Sequence, residues 1–113
     1  MDCLFCKIAQ KELPAEVVFE DDQVVAFKDI HPKAPHHIVI IPRAHFATLN
    51  DVPAEDSPIL GELLLTAQRL AKKLGVAEDG YRCLMNVNAG AGQTVFHIHL
   101  HLLAGRAFSW PPG

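Results

Sequence analysis

The stretch DSPILGELLLTAQRLAKKL, residues 56–74, decides the fold class. Leu60, Leu63, Leu64, Ala67, Leu70, Ala71 and Leu74 recur at three- and four-residue spacing, the single apolar stripe of an amphipathic helix. Asp56 or Ser57 can cap it, Pro58 suits its first turn, Lys72 and Lys73 suit its negative end, and Gly75 can stop it. Working outward, everything long on either side is β-rich. Towards the N-terminus lies His37-Ile38-Val39-Ile40-Ile41, ended by Pro42, and before it a proline-punctuated loop over 29–35. Earlier still, Val17-Val18-Phe19-Glu20 and Val24-Val25-Ala26-Phe27-Lys28 flank Asp21-Asp22-Gln23 and read as a hairpin. Residues 4–10 give one or two helical turns before Pro14. On the C-terminal side, 82–87 and 95–103 read as two more strands, separated by the glycine-containing stretch 88–94. Five strands, one long helix and a short N-terminal helix, with no βαβ alternation, predict an α+β fold on an antiparallel sheet.

At 113 residues the chain is expected to form one domain, 1–113, around one core. Ten Lys and Arg against thirteen Asp and Glu leave a net charge of −3, which argues against a basic nucleic-acid binder. No apolar run is long enough to span a membrane. Met1-Asp2-Cys3 carries no export signal, and three cysteines do not make a disulfide framework, so a reduced, cytoplasmic protein is the expectation.

The unusual count is seven histidines, and three of them fall in His97-Ile98-His99-Leu100-His101-Leu102. On a strand the alternation sends Ile98, Leu100 and Leu102 one way and the three imidazoles the other. Residues four apart on a strand are separated by about 13 Å, so His97 and His101 could not share one metal ion from a regular strand. A row of imidazoles instead suits a reacting group with several anionic oxygens. Neutral imidazole is a nucleophile, its cation is an acid, and phosphoryl or nucleotidyl transfer uses both. Gly90, Gly92 and Thr94, just upstream, allow backbone N–H groups to approach a phosphate closely.

Gly92-Gln93-Thr94-Val95-Phe96-His97-Ile98-His99-Leu100-His101-Leu102-Leu103 resembles the histidine-triad signature, and the rest of the chain is similar to the nucleoside phosphoramidase branch of that family. The similarity runs through Phe5-x-Lys7-Ile8, Phe19-Glu20-Asp21-Asp22, Ala26-Phe27-x-Asp29-Ile30, Pro35-x-His37, Ile41-Pro42-x-x-His45, Asn86 and Trp110-Pro111-Pro112-Gly113. The resemblance implies a purine nucleoside phosphoramidate hydrolase that needs no catalytic cofactor. His99 would become nucleotidylated and His101 would hydrogen-bond the phosphate or the leaving group. His97 and His37 would fix tautomer and orientation behind them. Asn86, Gly92, Gln93 and Thr94 would line the phosphate and leaving-group side. Asp29 would accept from the ribose hydroxyls, and Phe5, Ile8, Leu13, Phe27 and Ile30 would form a slot for the base. Family members pair through the long helix and a central strand into one continuous sheet, and such a homodimer would let the tail with Trp110 approach the partner's site.

Cys3-Leu4-Phe5-Cys6 carries a second implication. Some relatives hold structural zinc through such a pair, and the matching ligands here are Cys3, Cys6, His45 and His97, the four a closed tetrahedral site needs. A zinc-bound His97 could not also donate freely to a catalytic relay. The alternatives are a dinucleoside polyphosphate hydrolase and a purine-nucleotide-binding module that acts through partners. His31, His36 and Cys83 receive no catalytic assignment; Cys83 is expected to pack as a small hydrophobe.

Overall fold

In the computed structural model, residues 3–113 are described; Met1-Asp2, where an export signal was sought, lies outside them. The elements run α1 (Leu4–Ala9), β1 (Val17–Glu20), β2 (Val24–Lys28), β3 (His36–Pro42), α2 (Pro58–Lys73), β4 (Tyr81–Leu84) and β5 (Leu100–Ala104), with single 3₁₀ turns at Leu49–Asp51, Ala54–Asp56 and Ala89–Ala91. The strands form one antiparallel sheet in the order β1-β2-β3-β5-β4. This is the architecture the helix and its flanking strands predict.

The turn between β1 and β2 closes on Asp21, whose Oδ1 accepts the N–H groups of Gln23 and Val24 at 2.8 Å each. Such a carboxylate-capped turn is why Asp is favoured there. The sheet is covered on both faces, so β2 and β3 read as nearly unbroken apolar runs. On one face Val24, Ala26, Ile38, Ile40, Leu100 and Leu102 pack with Ile98 against Leu63, Ala67 and Leu70 of α2. Each such large side chain, moved out of water, contributes roughly 1.5–3 kcal/mol. On the other face Val25, Phe27, Val39 and Ile41 pack under Phe5, Ile8 and Ala9 of α1.

Both ends of α2 refine the expectation. Ser57 is itself in a helical conformation and makes no side-chain cap, and Asp56 belongs to the preceding 3₁₀ turn. That turn leads straight into the helix, so no extended capping residue exists. The C-terminal stop falls where the glycine puts it. Gly75 takes φ +75°, Val76 N–H donates to Ala71 O at 3.0 Å, and Gly75 N–H donates to Lys72 O at 3.1 Å. These two bonds are the paired closure of a Schellman motif.

The larger correction concerns the last two strands. β4 stops at Leu84 and β5 starts only at Leu100, so 85–87 and 95–99, expected as strand, are irregular. Two features pull this segment out of the ladder. Ile98 N–H donates to Phe46 O at 2.8 Å instead of to a neighbouring strand. Gln93, buried, uses its whole amide on the loop: Oε1 accepts Asn88 N–H (2.7 Å), and Nε2 donates to Ala47 O (2.7 Å) and Val95 O (3.1 Å).

Candidate active site and thiol cluster

His37 on β3 and His101 on β5 lie on the sheet face away from α2. The register pairs His37 with Leu103 and Val39 with His101, so the two histidines are diagonal neighbours on one face. Their rings are 5.1 Å apart between centroids, and His37 Nε2 lies 2.9 Å from His101 Nδ1. His99 completes the group, with its ring centroid 4.9 Å from that of His101.

The backbone decides the tautomers. Lys33 N–H donates to His37 Nδ1 at 3.0 Å. His37 Nδ1 is therefore an acceptor, and its proton sits on Nε2, from which it donates to His101 Nδ1. His101 in turn carries its proton on Nε2. His99 Nδ1 lies 2.8 Å from the carbonyl of His97, to which only an N–H can donate, so the lone pair of His99 is on Nε2. Two adjacent rings thus carry a lone pair on Nε2 of one and an N–H on Nε2 of the other. Phe5 sets its ring edge-to-face against His99, with centroids 5.0 Å apart.

Burial holds His37 and His99 below the ordinary imidazole pKa. His101 is pushed down to about 4, by burial first and then by the neighbouring His99 and His37. Asp29 opposes the shift in all three. Its Oδ2 is 3.4 Å from His37 Nε2, and its Oδ1 accepts His31 N–H at 2.8 Å. Asp29, His37 and His101 could in principle gather round a cation, but the facing nitrogens of the two histidines already bond each other.

His97 does not share this face. Fully buried, it turns its ring away and donates from Nε2 to Pro42 O at 2.7 Å. Its Nδ1 lone pair then faces Cys3 Sγ at 3.2 Å, Cys6 Sγ at 3.5 Å and His45 Nδ1 at 3.2 Å; Cys6 Sγ is also 3.5 Å from His45 Nδ1. All four donor atoms lie within 4.8 Å of one another. Tetrahedral zinc bonds of about 2.3 Å to sulfur and 2.0–2.1 Å to nitrogen give edges of about 3.6 Å between sulfur and nitrogen and about 3.3 Å between nitrogens. The donor set fits zinc, and the His97–Pro42 bond is the outer contact that orients a metal-bound imidazole. Burial and the adjacent Cys3 thiol push Cys6 up to about 11; a cation between the sulfurs would reverse that sign. A cavity of about 390 Å³, lined by Cys6, His45, Lys7 and Arg43 among others, opens the cluster to solvent.

The expectation that all three triad imidazoles share one face is corrected here, because the strand begins only after His99. The conflict between zinc binding and a relay role for His97 also dissolves, since its carbonyl, not its ring, holds His99. Gln93 is likewise reassigned. Both its side-chain donors go to backbone carbonyls and its own N–H goes to Asn88 O, leaving no N–H for a phosphate. Gly92 and Thr94 beside it are exposed, and Asn86 is half-buried past β4. Phe5 and Ile8 of α1 and Phe27 of β2 are buried between the helix and the sheet, so of the expected base slot only half-buried Leu13 and Ile30, 85% exposed, offer much surface. Phe108 packs against Arg82 and Arg106, whereas Trp110 stands 84% exposed. Cys83 packs, half-buried, on the α2-side core, as expected of a small hydrophobe. No carbonyl bond to a histidine ring is visible in a sequence; the one cue was a triad whose first member had two candidate jobs.

Residues 10–108 match the HIT domain. The chain belongs to the HIT family. It is 50% identical over 105 residues to the purine nucleoside phosphoramidase of Escherichia coli, covering 93% of this chain and 88% of that protein. Its fold superposes with TM-score 0.97 on a HIT family hydrolase from Legionella pneumophila, at 58% identity, covering 99% of this chain and all of the other. A Zn-bound histidine triad family protein from Mycobacterium smegmatis matches with TM-score 0.83 at 35% identity, covering 94% of this chain and 76% of that one. Among the described residues no helix is long and apolar enough to cross a membrane.

Proposed function

We propose that this HIT protein hydrolyses purine nucleoside 5′-phosphoramidates through a covalent nucleotidyl-His99. One observation carries the reading: the His97 carbonyl holds His99 Nδ1–H at 2.8 Å, which leaves the lone pair on Nε2 of a ring whose centroid is 4.9 Å from that of His101. In the first step Nε2 of His99 bonds the α-phosphorus and the P–N bond breaks. Neutral His101 hydrogen-bonds the departing nitrogen, which takes its proton from water and leaves a hydroxide equivalent. In the second step that equivalent bonds the phosphorus and the N–P bond to His99 breaks, so protons balance over the cycle and the products are a nucleoside monophosphate and an amine. Asp29 serves the ribose hydroxyls as an acceptor-only group. The half-identical phosphoramidase of E. coli supports this substrate class over dinucleoside polyphosphates and over a binding-only role.

Zinc held by Cys3, Cys6, His45 and His97 has a structural role in this reading, supported by the donor distances and by the Zn-bound mycobacterial relative. Pairing into a homodimer in the cytoplasm completes it. The exposed Leu64 and Leu65 on α2 are consistent with that pairing. The deciding experiment is mass spectrometry of protein quenched during turnover of an adenosine phosphoramidate. The expected result is a nucleotidyl adduct on His99, absent from His99→Ala. Turnover surviving in His99→Ala overturns the mechanism.

A further inference from the structure

His97 belongs to two arrangements at once. Its ring is the buried corner of the cysteine–histidine cluster, and its carbonyl is, among the described residues, the group that bonds the Nδ1 of His99. The sheet does not fix this carbonyl. β5 begins three residues later, and the N–H of the same peptide, that of Ile98, donates to Phe46 O, the residue after His45 in the cluster. Residue 97 is thus held from the cluster side, through that bond and through its own side chain, with Pro42 O on one nitrogen and Cys3, Cys6 and His45 around the other. Helix α1 reinforces the link. Cys3 caps it, accepting Cys6 N–H at 3.2 Å, and Phe5, between the two cysteines, packs edge-on against both His97 (6.1 Å) and His99 (5.0 Å).

We infer that Cys3, Cys6 and His45 are positioning residues for His99, acting through His97: the cluster fixes the His97 ring, the ring fixes the His97 peptide, and the peptide carbonyl fixes which nitrogen of His99 carries the lone pair. The cluster touches no substrate. Its contribution is orientation, and reacting groups displaced by about an ångström lose on the order of a hundredfold in rate. Substrate binding is held elsewhere, so loss of the cluster acts on kcat and leaves KM nearly unchanged. Zinc in the cluster, where the four donors fit it, tightens the same linkage. The inference rests on His99 being the reacting histidine, as proposed above.

The test uses the full-length, zinc-loaded protein, the Cys3→Ala/Cys6→Ala double variant, and wild-type protein stripped by a chelator and then reloaded with zinc. The stripped and reloaded protein keeps the question answerable if the double variant does not fold. Ala71→Gly, which loosens α2 where it packs on Val76 and Ala104, away from the cluster, is the control for simple destabilisation. Three readouts are taken: the His99 tautomer by nitrogen-15 NMR, the rate at which diethyl pyrocarbonate acylates His99, and kcat with KM on an adenosine phosphoramidate. Zinc-loaded protein and Ala71→Gly are expected to show one Nδ1–H tautomer. The double variant and the stripped protein are expected to show mixed tautomers, an altered acylation rate and a kcat lower by about ten- to a hundredfold, with KM within about twofold. Zinc should restore the stripped protein. A His99 tautomer and kcat indifferent to the cluster overturn the inference, as does a wild-type protein that takes up no zinc and loses nothing to the chelator. If no phosphoramidate is turned over, the NMR and acylation readouts still decide, so failure of the substrate reading is separable from failure of this one.

Discussion

His37 donates its Nε2 proton to His101 Nδ1 across 2.9 Å, and it can do so only because the Lys33 N–H occupies the other nitrogen of His37 at 3.0 Å. One peptide N–H in a proline-rich loop thus sets the proton positions of two rings on two strands. Replacing His37 by alanine removes the donor and lets His101 adopt either tautomer. kcat on an adenosine phosphoramidate should fall by about 10- to 100-fold with KM little changed, as steady-state kinetics will show. His37→Gln, which keeps an N–H within reach, should recover part of the loss. Equal losses in the two variants would remove His37 from this role.

The same burial gives a stability signature. In the unfolded chain His101 binds a proton near pH 6.5, but in the fold it resists until about pH 4. Between those values the unfolded state holds more protons, so stability rises with pH and is lost as pH falls from about 6.5 towards 4. The slope contributed by one such group is at most about 1.4 kcal/mol per pH unit. His37, also lowered by burial, adds in the same direction. Calorimetric unfolding midpoints should therefore decline below pH 6.5, and less steeply in His101→Leu. Midpoints that rise on acidification, or identical slopes in both proteins, would contradict the buried, neutral pair.

The cysteine–histidine cluster predicts a metal content. Protein purified without chelator should carry about one zinc per chain, and removing it should lower the thermal midpoint, because a ligand bound only by the folded state stabilises that state. Metal analysis beside a melting curve checks both. Less than a tenth of an equivalent would end the idea. Cys6→Ala should reproduce the chelator's effect, and further chelator should then change nothing.

The helix, the hairpin and β3 could be read directly because each rests on a local signal: the leucine period in α2, Asp21 at the turn, and the Val and Ile run ended by Pro42. Burial on both sheet faces also matched the alternation of Ile98, Leu100 and Leu102. What sequence could not show was where β5 begins. Val95 and Phe96 have strand-like side chains, yet contacts with Ala47 and Phe46, about fifty residues away, hold their segment off the sheet. The four members of the cysteine–histidine cluster were nameable from the resemblance, and the triad histidines from their spacing as well. The division of labour within His97, ring to one cluster and carbonyl to the other, depends on a backbone bend that no spacing encodes.

Two glycines should respond oppositely to the same substitution. Gly105 follows β5 at φ +96°, and a Cβ there would lie 2.8 Å from Pro35 Cβ, inside the loop that carries Lys33. Gly105→Ala should cost about 1–3 kcal/mol from backbone strain and overpacking together. Gly61, inside α2, has nothing within 4 Å of an added Cβ. Gly61→Ala should stabilise by about 0.5–1 kcal/mol through helix propensity alone. Urea unfolding of the two variants checks the signs; a neutral Gly105→Ala would mean that Pro35 can move away freely.

Gln93 offers the sharpest test of the irregular loop. Its buried amide is the partner of one backbone N–H and two backbone carbonyls. Gln93→Leu keeps much of the volume but orphans those groups, and a buried polar group left unpaired costs about 1–3 kcal/mol. Gln93→Glu keeps the acceptor for Asn88 N–H, yet it points a second carboxylate oxygen at the carbonyls of Ala47 and Val95. When ionised, that side chain should be worse than leucine. When protonated at low pH, it can donate to one carbonyl and should be better. Burial raises the new carboxyl, so urea unfolding of both variants at pH 5 and pH 8 should show the order reverse. An order unchanged across that range, or two variants as stable as the parent, would show that the loop is held by its glycines and not by this amide.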